Sequence, residues 1–279
     1  MFANLWAVEH YKTFKRKVFW ITLAGTVGLL VVLVLGLYFA AQIAVQQGAE
    51  VGDLPTLLWP NGLVVVLNDF LSPGFIGGIV AVILGTALWA EEYRWGMLHL
   101  WLSRGVPRAT LLSAKAAALV LPLFLSLTAG LLVAGGVTGA LTALSAGAAP
   151  AGQVDFGQLA LSLLRSTAAV LPIAALTLFL GVLTRSTAGA LGAGMGYLLL
   201  GEQILGGLLG VIGLSSIGMY LPITLGKLLT MHNNALLRGF QGVQTLPVGG
   251  GVACAGVLLW TAVFLGLAVW VFGRQDLSV

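Results

Sequence analysis

The sequence predicts an all-α polytopic membrane protein with six transmembrane helices, and three observations carry that prediction. Of 279 residues, 59% are hydrophobic and the mean hydropathy is +1.03. Only 8% are charged, far too few to cover the surface of a soluble domain of this length. The apolar residues gather into runs of span length, and at roughly twenty residues per helical span there is room for about six spans and little else. Residues 1–279 are therefore read as a single transmembrane domain.

The first 17 residues, "MFANLWAVEHYKTFKRK", are basic, and the apolar run at 18–41 behind them is too long for a signal-peptide core, so it reads as a retained first span. A polar stretch with Gln42, Gln46, Gln47, Glu50 and Asp53 and no basic residue follows. The apolar region 57–89 exceeds one span and is interrupted by Asn68, Asp69 and "SPG" at 72–74. It divides into an interfacial segment at 57–67 and a second span at 71–89. The third span is expected at 116–144, longer than the hydrocarbon requires. A small-residue loop at 145–157 leads to the fourth span at 159–183. "TRST" at 184–187 turns into the fifth at 188–213, and the sixth covers 248–272.

Charge orients the bundle. With the N-terminus inside, ten of the 13 Lys and Arg residues are cytoplasmic: Lys12, Lys15, Arg16, Lys17, Arg94, Arg104, Arg108, Lys115, Arg185 and Arg274. Arg165, Lys227 and Arg238 remain. The positive-inside rule then places both termini in the cytoplasm. Because the bases flank spans, the net charge of +4 does not indicate a nucleic-acid partner. The one cysteine, Cys254, excludes a disulfide framework, and the scattered His10, His99 and His232 offer no metal motif.

Two connections stand out. In 214–247, Leu225, Leu228, Leu229 and Leu236 recur at helical spacing among polar residues, with Pro222 before and Gly239 after. The pattern suits an amphipathic helix in or dipping into the outer interface, or else a plain outer loop. The second is "WAEEYRWGMLHLWLSRG" at 89–105. As a helix, 91–104 carries one polar stripe of Glu92, Gly96, His99 and Ser103 beside an apolar face of Trp95, Leu98 and Leu102. Periodicity alone allows an interfacial helix anchored by tryptophans or a helix seated in a partner's groove.

The stretch "EEYRWGMLHLWLSRGVPRATLLSAK" at 91–115 resembles the first cytoplasmic connection of ATP-binding-cassette exporter permeases of the ABC type 2 class. The matching residues are Glu92, Gly96, the hydrophobic run 98–102, Ser103, Arg104, Arg108 and Lys115. Met97 stands where that family usually has threonine, and Pro107 falls one place after the family's usual proline. The resemblance extends to a basic N-terminal segment, six spans and a partly helical outer segment. It implies an elbow helix at 1–17 and a coupling helix at 91–104. Glu91, Glu92, Arg94, Gly96, His99, Ser103, Arg104 and Arg108 would then face an ATP-binding subunit. It further implies an exporter whose pathway forms between two permease chains in a prokaryotic cell membrane. An elbow helix has little amphipathic support, because Glu9 and Arg16 share the face of Phe2, Leu5 and Trp6.

No G-x-x-x-x-G-K-[ST] occurs, and "TLGKLL" at 224–229 lacks both the preceding glycine and the hydroxyl. No cofactor is therefore expected on this chain, with ATP and Mg on the partner, and no catalytic constellation suggests an enzyme. A non-transporting membrane scaffold or assembly factor with the same fold is the other functional reading.

Arg165, Glu202 and Gln203 fall within predicted spans. A charge at a helix centre costs about 2.5–3.5 kcal/mol on insertion scales, so each should face protein or water. Counted from the turn near 185, Arg165 and Glu202 are offset by roughly one helical turn. An internal ion pair or dimer contact, a substrate or proton site on the pathway, and a misjudged span depth all fit. Gly135/Gly139, Gly192/Gly196 and Gly206/Gly210 have the small-xxx-small spacing of close helix contact.

Overall fold

A computed structural model describes residues 2–47, 58–94, 97–146, 154–233 and 246–275. The chain begins with α1 (Phe2–Lys15) and α2 (Lys17–Gln46). A short α3 (Asn61–Val65) runs into a π-helical turn at Val66–Phe70, followed by α4 (Ile76–Arg94) and α5 (Met97–Ser103). The long α6 (Arg108–Ala146) and α7 (Phe156–Thr184) come next. Then α8 (Thr187–Gly196) passes through a second π-helical turn, Tyr197–Gly201, into α9 (Glu202–Val211). A single turn α10 (Ser215–Gly218), α11 (Pro222–Met231) and α12 (Gly250–Arg274) complete the order.

The ends of these helices follow local chemistry. Asp155 caps α7, accepting from the amides of Gly157 (2.9 Å) and Gln158 (3.2 Å). In the "TRST" turn Arg185 ends α7 in the left-handed region at φ 51°, and Ser186 accepts from Gly189 N at 3.3 Å to start α8. Pro222 opens α11, where its missing N–H costs nothing.

The helix α7 is the axis of the molecule. In its most apolar stretch 67% of residues are buried, against 28% for α2, 22% for α12 and 11% for the α8–α9 pair. It packs against α4, α6, α8, α11 and α12, whereas α1 and α2 lie along α6. The outward faces of α2, α9 and α12 carry exposed leucines, valines and isoleucines, as lipid-facing helices do. One contact requires glycine. A Cβ on Gly226 of α11 would lie 2.8 Å from the Ala169 carbonyl oxygen of α7, so only glycine lets α11 sit this deep.

Among the described residues five stretches are long and apolar enough to cross a bilayer: α2, α6, α7, α8–α9 and α12. The expected sixth, at 71–89, differs. The "LSPGF" break divides the region into shorter apolar helices, 61–70 and 76–89. The latter's 14 residues cover about 21 Å of a hydrocarbon core roughly 30 Å thick. Its helix continues to Arg94, and α4 as a whole connects the two ends of the bundle. Gly74, just before it, lies against Ile223 of α11, and Glu92, near its end, bonds to α1 and α6.

Candidate functional site

Residues 2–15, where an elbow helix is expected, form α1, and Glu9 lies on its buried face. Leu5, Glu9 and Thr13 repeat every fourth residue and form the buried face of α1. An acid on that face spoils a simple amphipathic pattern, but it makes sense once its partners are seen. Lys115 Nζ, fully buried near the start of α6, donates to Glu9 Oε2 at 2.7 Å and to Glu92 Oε1 of α4 at 2.6 Å. Lys12 Nζ donates to Glu9 Oε1 at 2.9 Å and reaches Glu92 Oε1 at 3.4 Å. Two acids and two bases thus neutralise one another where α1, α4 and α6 meet. Buried charges persist only when paired and hydrogen-bonded in this way.

The cluster extends through aromatic rings. Lys12 Nζ lies 4.9 Å from the centroid of Trp101 on α5, and Lys115 Nζ lies 5.9 Å from that of buried Trp89. Trp89 meets Phe272 of α12 edge-on at 5.0 Å. Arg108, at the start of α6, donates to the carbonyls of Phe272 (2.8 Å), Gly273 (3.0 Å) and Gln275 (2.8 Å). It supplies a cation to the C-terminal end of α12, where the helix dipole favours one. Gln275 donates to Val182 O of α7 at 2.7 Å and accepts from Tyr93 of α4 at 2.6 Å. Arg16 also donates to the Ala87 carbonyl of α4.

Burial opposes the charge on Glu9, but the charge of Lys115 and the hydrogen bonds from Lys115 and Lys12 outweigh it and hold the carboxyl below its ordinary value. A depressed carboxyl gives stability that is complete above its unfolded value, roughly 4.3, and is lost as pH falls towards the folded one. Neighbouring His10 is also lowered, by burial beside Trp6 (4.4 Å) and Phe14 (6.2 Å). A folded state that binds this proton less readily loses stability earlier, once pH falls below roughly 6.5. The docking of α1 is therefore expected to weaken with acid in two stages, read by protease cleavage of α1 against pH. His10→Phe should remove only the first stage. A flat profile down to the carboxylate range would contradict this.

The short α5 projects from this cluster. Leu98 is buried and Trp101 half-buried beneath Lys12, while Met97, Leu100, Ser103 and Arg104 are exposed. Of the expected helix over 91–104, residues 91–94 are helical at the end of α4 and Met97–Ser103 are helical as α5. The stripe of Glu92, Gly96, His99 and Ser103 is not one surface line: Glu92, 1% exposed, turns inward, and Ser103 turns outward. Arg108 holds α12. Gly96 and the side chains of Glu91, Arg94 and His99 lie outside the described residues.

Arg165 and Glu202 do not pair with each other. They hold opposite ends of α11. Glu202 accepts from the Ile223 amide, the Thr224 amide (2.9 Å) and Thr224 Oγ1 (2.9 Å) at its start, while Arg165 Nη1 donates to His232 O (3.2 Å) at its end. Counting residues from a shared turn gave similar depths but could not reveal a helix lying between the two. Leu225, Leu228 and Leu229 are buried as the periodicity predicts, although in a helix packed on α7 and α12. Leu236 and Arg238 lie outside the described residues. Gln203 is exposed on α9.

Sequence reasoning missed Glu9, Lys12, Tyr93 and Gln275 as functional candidates. The signal for Glu9 was an acid on the apolar face of an otherwise basic segment, a placement that demands a buried cation.

The described residues form a bundle of apolar helices, bound at one end by an ion cluster from which the short α5 projects. The chain matches the family of ABC-2 family transporter proteins over residues 4–277 and belongs to it. Permeases of this family are not themselves catalytic and normally work with an ATP-binding subunit. None of the curated proteins matches the sequence.

Proposed function

We propose that this chain is the transmembrane subunit of an ATP-driven exporter, that two permease chains form the translocation pathway, and that a separate subunit carrying ATP and Mg drives it through residues 91–108. The observation that carries this reading is α5. Its exposed face of Met97, Leu100, Ser103 and Arg104 suits a groove in a partner, and its other face is tied to α1, α4 and α6 through Lys12, Glu92 and Lys115. A pull on such a helix moves several spans as one rigid body, because the cluster leaves it no independent freedom. In this reading Ser103 and Arg104 touch the partner, Glu92 transmits force, and Arg108 carries it to α12.

The same end of the bundle holds α1, the last turn of α12 and the bases Lys12, Lys15, Arg16, Lys17, Arg104 and Arg274, which supports a cytoplasmic position for both termini. The test is reconstitution with the ATP-binding-cassette protein that co-purifies with the chain. ATP hydrolysis that depends on the permease, and falls when Leu100 becomes aspartate, is the expected result. Hydrolysis indifferent to the α5 face would sink the reading.

A further inference from the structure

At the end of the bundle opposite the ion cluster, α9 is held in an unusual way. No residue of α9 is buried, although α8, in the same apolar stretch, buries Ala190 and Gly194 against the rest. The two are separated by the π-helical turn Tyr197–Gly201, a wide turn of the kind at which helices bend. Immediately after that turn stands Glu202. Its carboxylate accepts from Tyr197 Oη (3.0 Å), the Ile223 amide, and the amide and hydroxyl of Thr224 (2.9 Å each). Those amides are the positive end of α11.

The helix α11, by contrast, is anchored. It is buried on α7 with Gly226 against the Ala169 carbonyl, and its last turn accepts from Arg165. Just beyond it, Asn233 donates to Ser166 of α7 at 3.3 Å and His232 pairs with Val248 O at 3.3 Å. Trp260 of α12 donates to Tyr220 O at 2.8 Å, just ahead of α11. One half-helix is fixed, and the carboxylate of Glu202 joins the other to its first turn.

We propose that Glu202 is the latch that seats α9 on α11, and that the transport cycle releases it, so that α9 swings about the π-helical turn while Arg165 keeps α11 in place. Glu202 is then a positioning residue: it acts through α11 and need touch no substrate. The release step rests on the ATP-driven reading above, whereas the latch itself does not.

The test uses the full chain in nanodiscs with Cys254→Ser and spin labels at Val211 of α9 and Lys227 of α11, both exposed. Pulsed electron–electron resonance should give one narrow distance for the parent chain. Glu202→Ala should add a broad, longer component, and Glu202→Gln, which keeps an acceptor oxygen but no charge, should fall between. A second pair at Leu164 and Leu259, on α7 and α12, should stay unchanged in every variant. A parent-like distribution in Glu202→Ala would overturn the latch, and so would equal broadening of the α7–α12 pair, which would mark general loosening. In the complex with its ATP-binding subunit, trapping with ATP and vanadate should shift the α9–α11 pair towards the Glu202→Ala distribution. No shift on trapping would overturn the release while leaving the latch standing.

Discussion

Replacing Lys115 with methionine is expected to cost the protein about 3–5 kcal/mol, because it leaves buried carboxylates without their shared cation. Methionine fills much of the lysine's volume, so the loss is one of charge and not of packing. Lys12 alone then faces Glu9 and Glu92, and one of the two acids must take up a proton to stay buried. Domains with a total stability of about 5–15 kcal/mol rarely absorb such a loss intact. The expected result is a clear fall in the thermal midpoint measured by fluorescence-detected size exclusion, with early cleavage of α1. Adding Glu92→Leu, which restores neutrality with Glu9 and Lys12 remaining, should recover most of the loss. A single variant as stable as the parent would mean that the cluster is not what binds α1 to the spans.

Leu100→Asp and Arg104→Glu form the second case. Both residues are exposed on or just beyond α5 and make no contact in the ion cluster. The thermal midpoint of the chain alone should hardly move, as is usual for surface changes within about 0.5 kcal/mol. Stimulation of the partner's ATP hydrolysis should fall at least roughly tenfold for each, because a charge placed in the desolvated centre of an interface costs on the order of 2 kcal/mol or more. Stability lost together with stimulation would instead assign α5 a structural role.

Much of the fold was legible in the apolar runs. α2, α7, α8–α9 and α12 lie close to where hydropathy places them, and "TRST" turns where its Ser186 can cap α8. The second apolar helix starts at Ile76 and not at Leu71, because the backbone breaks at "LSPGF", which an average of hydropathy passes over. The site was only half legible. The motif at 91–115 drew attention to this stretch, yet its stripe put Glu92 on a surface from which the side chain turns inward. The ion cluster joins Glu9, Glu92 and Lys115 from three separate helices, and no local period links residues so far apart in sequence. Glu202 and Arg165 were rightly suspected of needing partners. Their partners were the two ends of α11 and not each other, and helix-end groups are invisible to a search for opposite side-chain charges.

The central claim, that α5 is where an ATP-binding partner pulls, is tested most directly by photo-crosslinking. Benzoylphenylalanine placed at Leu100 or Arg104 of the chain in its native membrane should yield an adduct whose peptides, by mass spectrometry, belong to an ATP-binding-cassette protein, and the same group at Lys227 of α11 should not. An adduct with that protein from Lys227, with none from Leu100 or Arg104, would place the partner at the opposite end of the bundle and contradict the account.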